Sequence, residues 1–226
     1  MPLDKNIIQT INDYALNHLP IESWYETSFF PFIEDNKLRN RLIVEFKNAR
    51  FIYKLFEGLQ VNGELLLAQV KTQVIMYASI QEAVASYVLF EKYNDTEIVQ
   101  NLLFQERKKD ISIPQKNITE LKKILKHNGK DLSVCYVTKT KVDKTKIRFD
   151  QKIRALFDLS LISEDLMKDL IKIYEYRNTI HLEAEIKKNF KYDLEIGRLG
   201  YRRVEGLSIE LANKLSNLDL LTPLSE

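Results

Sequence analysis

An all-α fold is predicted for this chain, and three observations carry the prediction. Glycine (6) and proline (5) are scarce in 226 residues, so the turn-formers that a sandwich of short strands needs are missing. Apolar residues recur at helical spacing from Leu38 to about Tyr93 and again from Phe149 to Ala184. The composition, 45% hydrophobic and 29% charged, is that of a folded domain and excludes disorder and collagen-like repeats.

The elements follow in order. Asp4 to His18 reads as a short helix. Pro20 and Pro31 then bracket an aromatic connection with Trp24, Tyr25, Phe29, Phe30 and Phe32, expected to lie as a strap on the helices, so residues 1–37 form an N-terminal helix and strap. From residue 38 to 226 a helical bundle is predicted. Leu42, Phe46, Ala49, Tyr53 and Phe56 recur at steps of four and three, which gives one buried stripe. Gly58 and Asn62-Gly63 end that helix. Leu66, Val70, Val74, Tyr77, Val84 and Val88 continue the period from Glu64 to about Tyr93, and the short turn makes the two helices an antiparallel hairpin.

The charge is uneven. The total is only +2, yet Glu106 to Arg154 holds fifteen Lys or Arg against six Asp or Glu, a local +9. Residues 106–148 are therefore read as a basic insertion in the bundle. Inside it, Asn117 to Lys126 reads as a short helix closed near Gly129. Leu132 to Thr138 is β-branched and aromatic like a strand, and KTKVDKTK reads as a lysine-rich loop or hairpin tip. Lys139, Lys141, Lys144 and Lys146 are candidate RNA contacts, because each lysine near a phosphate backbone releases a counterion. Lysine-rich tips also serve solubility and edge protection, and that reading stays open.

Phe149, Ile153, Leu156 and Phe157 begin a third long helix that breaks at LSLIS. Ser163, followed by Glu164 and Asp165, supplies an N-cap with acids in the first turn of a fourth helix. At 100° per residue, Leu166, Leu170, Ile173, Ile180 and Ala184 fall within about 40° of one line, and Arg177 and His181 sit beside it at about 20° and 60°. A stripe expected to face protein thus runs into an arginine and a histidine one turn apart. Arginine grips phosphate, and histidine exchanges a proton near neutrality. The competing reading makes Arg177 a salt-bridge anchor and His181 a satisfied core histidine. Tyr201 to about Leu218, with Val204, Leu207, Leu211 and Leu215 on one face, closes the bundle, and Arg202 and Arg203 in its first turn are further RNA candidates.

The stretch FDQKIRALFDLSLISEDLMKDLIKIYEYRNTIHL, from Phe149 to Leu182, resembles the second helical pair of HEPN (higher eukaryotes and prokaryotes nucleotide-binding) domains. The hairpin containing VIMYASIQEAVASYVL is similar to that family's first pair. The resemblance covers about half of the chain and centres on Arg177-Asn178-x-x-His181. It implies a HEPN-like antiparallel bundle and a metal-independent endoribonuclease without a cofactor, working as a homodimer with its Arg/His motifs at the interface. It also implies a prokaryotic defence or toxin-antitoxin setting. The motif departs from the family in having three residues between arginine and histidine instead of four to six. His181 would act as general base on a ribose 2′-OH, Arg177 would stabilise charge on the phosphate, and products would end in 2′,3′-cyclic phosphate. Asn178 is a candidate for orienting the site. The alternative is a non-catalytic module that dimerises or binds a toxin, sensor or antitoxin protein; binding of free nucleotides without cleavage is a third option.

Other chemistries fit less well. His181-Leu182-Glu183 has the H-x-E spelling of zinc deaminases, but the single Cys135 cannot supply their two cysteine ligands. His181 and Glu185, with only His18 and His127 besides, make a poor metal set. Cys135 is read as a small buried hydrophobe in a strand, and Gly197 and Gly200 lack the context of a phosphate loop. One cysteine, and an N-terminal MPLDKNIIQ without a secretory pattern, lead to an expected cytoplasmic location. No membrane partner is expected, since even Leu65 to Leu89 carries Lys71 and Glu82.

Overall fold

The computed structural model describes residues 2–124, 126–127, 129–131, 134–180, 183, 186–187 and 190–219. In chain order the elements are α1 (Lys5–Asn17), α2 (Glu22–Thr27), α3 (Asn36–Gly58), α4 (Gly63–Tyr87), α5 (Glu97–Leu103), β1 (Phe104–Asp110), α6 (Gln115–Ile124), β2 (Lys126–His127), β3 (Lys130–Asp131), β4 (Cys135–Lys141), α7 (Phe149–Asp158), α8 (Glu164–Asn178) and α9 (Leu194–Asp219). Helix dominates, as expected of an all-α chain, and strand among the described residues is confined to two small ribbons. No helix of the described residues is long and apolar enough to cross a membrane. The chain divides into two compact units, Met1–Asn94 with Arg148–Glu226, and Asp95–Ile147.

The first unit is organised around α4, which packs on α3, α7, α8 and α9. A helix flanked on so many sides buries more than one stripe, and α4 accordingly takes Gln69, Gln73 and Gln81 inside along with Val70, Val74, Tyr77 and Val84. The hairpin turn before it needs glycine, because Gly63 has φ +54°. At its C-terminus α4 widens into a π-helical turn, Val88–Lys92, which buries Val88, Leu89 and Phe90. The expected strap does lie on this core. Tyr25, Phe29 and Phe30 are buried, with the Phe29 ring 4.9 Å from that of Phe46 on α3. Ser208 on α9 fixes it by accepting from the Phe30 N–H at 2.9 Å and donating to the Ser28 carbonyl at 3.1 Å.

Two helix boundaries differ from expectation. Helix α8 stops at Asn178 instead of running to Ala184, because Thr179 caps it and turns its hydroxyl onto the carbonyls of Tyr176 (2.9 Å) and Glu175 (3.2 Å). Helix α9 starts at Leu194, seven residues before the expected Tyr201, so Gly197 and Gly200 are helical. A Cβ on Gly200 would come within 3.0 Å of the Tyr77 ring, so this glycine permits the close approach of α9 to α4.

In the second unit β1 and β4 pair antiparallel, from Phe104 opposite Lys141 to Asp110 opposite Cys135. Strand β4 is shifted three residues past the predicted Leu132–Thr138, and β1 fell in a segment not read as a strand. Most of the ribbon's residues are exposed on both faces. Cys135 is therefore exposed, contrary to the buried position expected of it. The short β2–β3 hairpin turns at Gly129, whose φ is +74°.

Candidate functional site

The stripe that predicted α8 is real up to its last turn. Leu166, Leu170 and Ile173 are fully buried, and Arg177 follows them half-buried at the helix C-terminus. There its positive charge complements the carbonyl end of the helix dipole. The guanidinium lies over the Tyr174 ring, 5.3 Å from the centroid, and its Nη1 donates to the Asn178 Oδ1 at 3.1 Å. Tyr174 in turn stacks on Phe149 at 4.5 Å. Among the described residues no carboxylate forms an ion pair with Arg177. The salt-bridge anchor considered for this arginine is therefore not formed there.

Arg177 borders a polar cluster on α4 and α7. Burial raises the Tyr174 hydroxyl above its ordinary pKa, Glu82 raises it further and Arg177 offsets part of the rise. Lys152, only 2% exposed, reaches the Glu82 Oε1 at 3.4 Å and donates to the Ser86 Oγ at 3.0 Å. The phenol thus stays protonated at neutral pH and is available as a donor beside the guanidinium.

His181 lies outside the described residues. Helix α8 ends at Asn178 with Thr179 as its cap, and Ile180 lies outside any helix. The chain leaving the helix is held instead by a small network in which the Tyr192 hydroxyl donates to the Tyr176 carbonyl at 2.9 Å and meets the Thr179 Oγ1 at 2.8 Å. Ile180 and Tyr192 pack against the buried cluster of Val70, Val74, Ala78, Ile173 and Ile196.

The RNA candidates fall in different places. Lys139 and Lys141 share one face of β4, opposite Glu106 and Phe104, while Lys144 and Lys146 lie in a 3-10 turn begun by Asp143; all four lysines are exposed. They belong to the second unit, and Arg177, Asn178, Arg202 and Arg203 to the first. Arg202 is exposed and 3.4 Å from Glu195, but Arg203 is engaged by Asp169 of α8 through its Nε at 2.6 Å. Releasing Arg203 to a phosphate would break that pair.

Sequence reasoning passed over one group of polar residues. Gln73 on α4 and Arg50 on α3 carry buried polar atoms without a partner. The available signal was Gly197-x-x-Gly200, which marks where α9 comes close to α4. Comparison with known proteins finds no matching family model, no matching curated protein and no matching solved structure.

Proposed function

We propose that the protein is a metal-independent endoribonuclease of HEPN type, acting as a homodimer in prokaryotic defence or a toxin-antitoxin system. The observation that supports this reading is Arg177 itself. It is a half-buried arginine at the end of an apolar stripe, oriented by Tyr174 and Asn178 and unpaired with any described carboxylate. A guanidinium in that state retains its capacity to hold a phosphate bidentately. In the proposed step the His181 imidazole takes the 2′-OH proton and the 2′-oxygen attacks the adjacent phosphorus. Arg177 stabilises the charge growing on the phosphate oxygens, and the 5′-oxygen leaves as its bond to phosphorus breaks, taking a proton from water, whose hydroxide the imidazolium then neutralises. The products end in 2′,3′-cyclic phosphate and 5′-hydroxyl. Lys139, Lys141, Lys144 and Lys146 supply backbone affinity in this reading.

The test is cleavage of a mixed RNA pool in excess EDTA by the parent, His181→Ala and Arg177→Ala. Cleavage by the parent alone, with both variants folded by circular dichroism, is the expected result. Loss of about 10² to 10⁴ in rate is expected for His181→Ala. Parental activity that needs Mn²⁺, or full activity in His181→Ala, would end the proposal. The stop of α8 at Asn178 favours a second reading, in which Arg177 serves local structure and the bundle is a non-catalytic interaction module. No cleavage by any of the three proteins is the outcome that reading expects.

A further inference from the structure

A cleft of about 220 Å³ opens between α3, α4 and α9, wholly within the first unit. The rings of Tyr53, Tyr77 and Tyr201 line it, and Gln73, 1% exposed, is its deeply buried amide. Neither the Nε2 nor the Oε1 of Gln73 has a hydrogen-bond partner. A buried polar group left unpaired forfeits its hydration without return, so folded proteins rarely leave one without a ligand, ion or water to satisfy it. Glycine at 197 preserves this state: a Cβ there would lie 2.6 Å from the Gln73 Oε1.

The same lining carries a guanidinium. Arg50 is half-buried, its Nε has no partner, and its guanidinium lies 4.3 Å from the Tyr201 ring centroid and 5.6 Å from that of Tyr53. No described carboxylate pairs with it. The other two cations of the lining are engaged, Lys54 with Glu57 at 2.5 Å and Arg198 with Glu195 at 2.7 Å. Glu57 is the one carboxylate among the lining residues, against three cations.

We infer that this cleft binds a small planar molecule that carries one oxyanionic group, carboxylate or phosphate, and a hydrogen-bonding edge. Arg50 takes the oxyanion as a planar fork, the tyrosine rings receive the planar body, and the Gln73 amide reads an adjacent donor and acceptor. The volume is below the usual range for drug-sized ligands, about 300 to 1,000 Å³, so the occupant is a single or fused ring with its anionic group. Arg177 is not among the described residues that line this cleft, and the inference stands independently of the proposed nuclease.

Titration calorimetry with matched probes tests it. Orotate and uracil share a ring with alternating donors and acceptors and differ by a carboxylate; 4-carbamoylphenyl phosphate and 4-hydroxybenzamide, a planar ring with an amide edge, make the corresponding phosphate pair. At least one anion is expected to saturate the protein, at least tenfold more tightly than its neutral counterpart and than inorganic phosphate. Whichever anion binds identifies the oxyanion. Arg50→Met and Gly197→Ala should each weaken that binding at least tenfold, and Arg177→Ala, outside the lining, should leave it unchanged. Should Arg50→Met fail to fold, Gly197→Ala carries the comparison. The inference is overturned if neither anion saturates by about 10 mM, which would leave water as the partner of Gln73. Equal binding of the neutral rings, or affinity unaltered by Gly197→Ala, overturns it too.

Discussion

Lys152 shows how much the environment decides what a charged residue does. Its side chain is 3% exposed and its neighbours are Glu82, at 30%, and Ser86. Removing Glu82 strands a buried ammonium with one hydroxyl for company, whereas removing Lys152 leaves a carboxylate that water can reach. Breaking a fully buried pair typically costs about 3 to 5 kcal/mol, and the partial exposure of Glu82 reduces that. Glu82→Ala is therefore expected to lose about 2 kcal/mol in urea unfolding and Lys152→Met less than about 1 kcal/mol. Equal losses would mean that the two charges contribute by packing alone. The same logic separates Arg177 from Arg203: one rests on a tyrosine ring and an amide, the other is held by Asp169, and only the first is free of a carboxylate among the described residues.

At the scale of the element, the end of α8 decides how the predicted motif is presented. The Thr179 hydroxyl and the Tyr192 hydroxyl share the carbonyl of Tyr176, so they hold the departing chain as one unit. Thr179→Val and Tyr192→Phe are each expected to lose about 1 kcal/mol, and the double variant less than their sum, by about 0.5 kcal/mol or more. Strict additivity in denaturant unfolding would dissolve the network. This end also shows where the sequence was legible and where it was not. The apolar period located α3, α4, α7 and the start of α8, because each has a face directed at a core. It overran Asn178 because Ile180 and Ala184 keep the period, while the stop depends on hydrogen bonds made by Thr179 and Tyr192 across thirteen residues. It missed the first turns of α9 because Gly197 and Gly200 read as breakers, although here they permit a close helix crossing. It missed β1 because FQERKKD, exposed on both faces, has no alternation to detect. Arg177 stood out as a polar residue on an apolar stripe. Gln73 did not, since a glutamine on a helix reads as solvent-facing until the helix is known to be central.

Across the whole molecule, charge and aromatic burial are distributed by unit. Residues 95–147 hold twelve Lys or Arg against seven Asp or Glu, a net +5, which leaves −3 on the unit that contains Arg177. Buried tyrosines belong to that acidic unit and surround Arg50. Burial pushes the Tyr25 hydroxyl up to about 12, with Arg50 pulling it down and Glu22 up, and it pushes Tyr201 up to about 12 with help from its hydrogen bond to Glu205. Tyr77, 1% exposed, is raised further, again by burial first. Each folded pKa thus lies above the ordinary value of 10.0. The unfolded chain releases these protons first, so the stability these hydroxyls support is fully present below pH about 10 and is lost as the pH rises towards 12. Urea midpoints are expected to hold steady up to pH about 9.5 and to fall steeply from there to 11.5. Absorbance at 295 nm should show some of the eleven tyrosines ionising only as helical circular dichroism disappears. If all the tyrosines titrate together near pH 10 while the helices persist, the aromatic centre around Arg50 is open to water, and the cleft beside Gln73 loses the dry walls its inferred ligand requires.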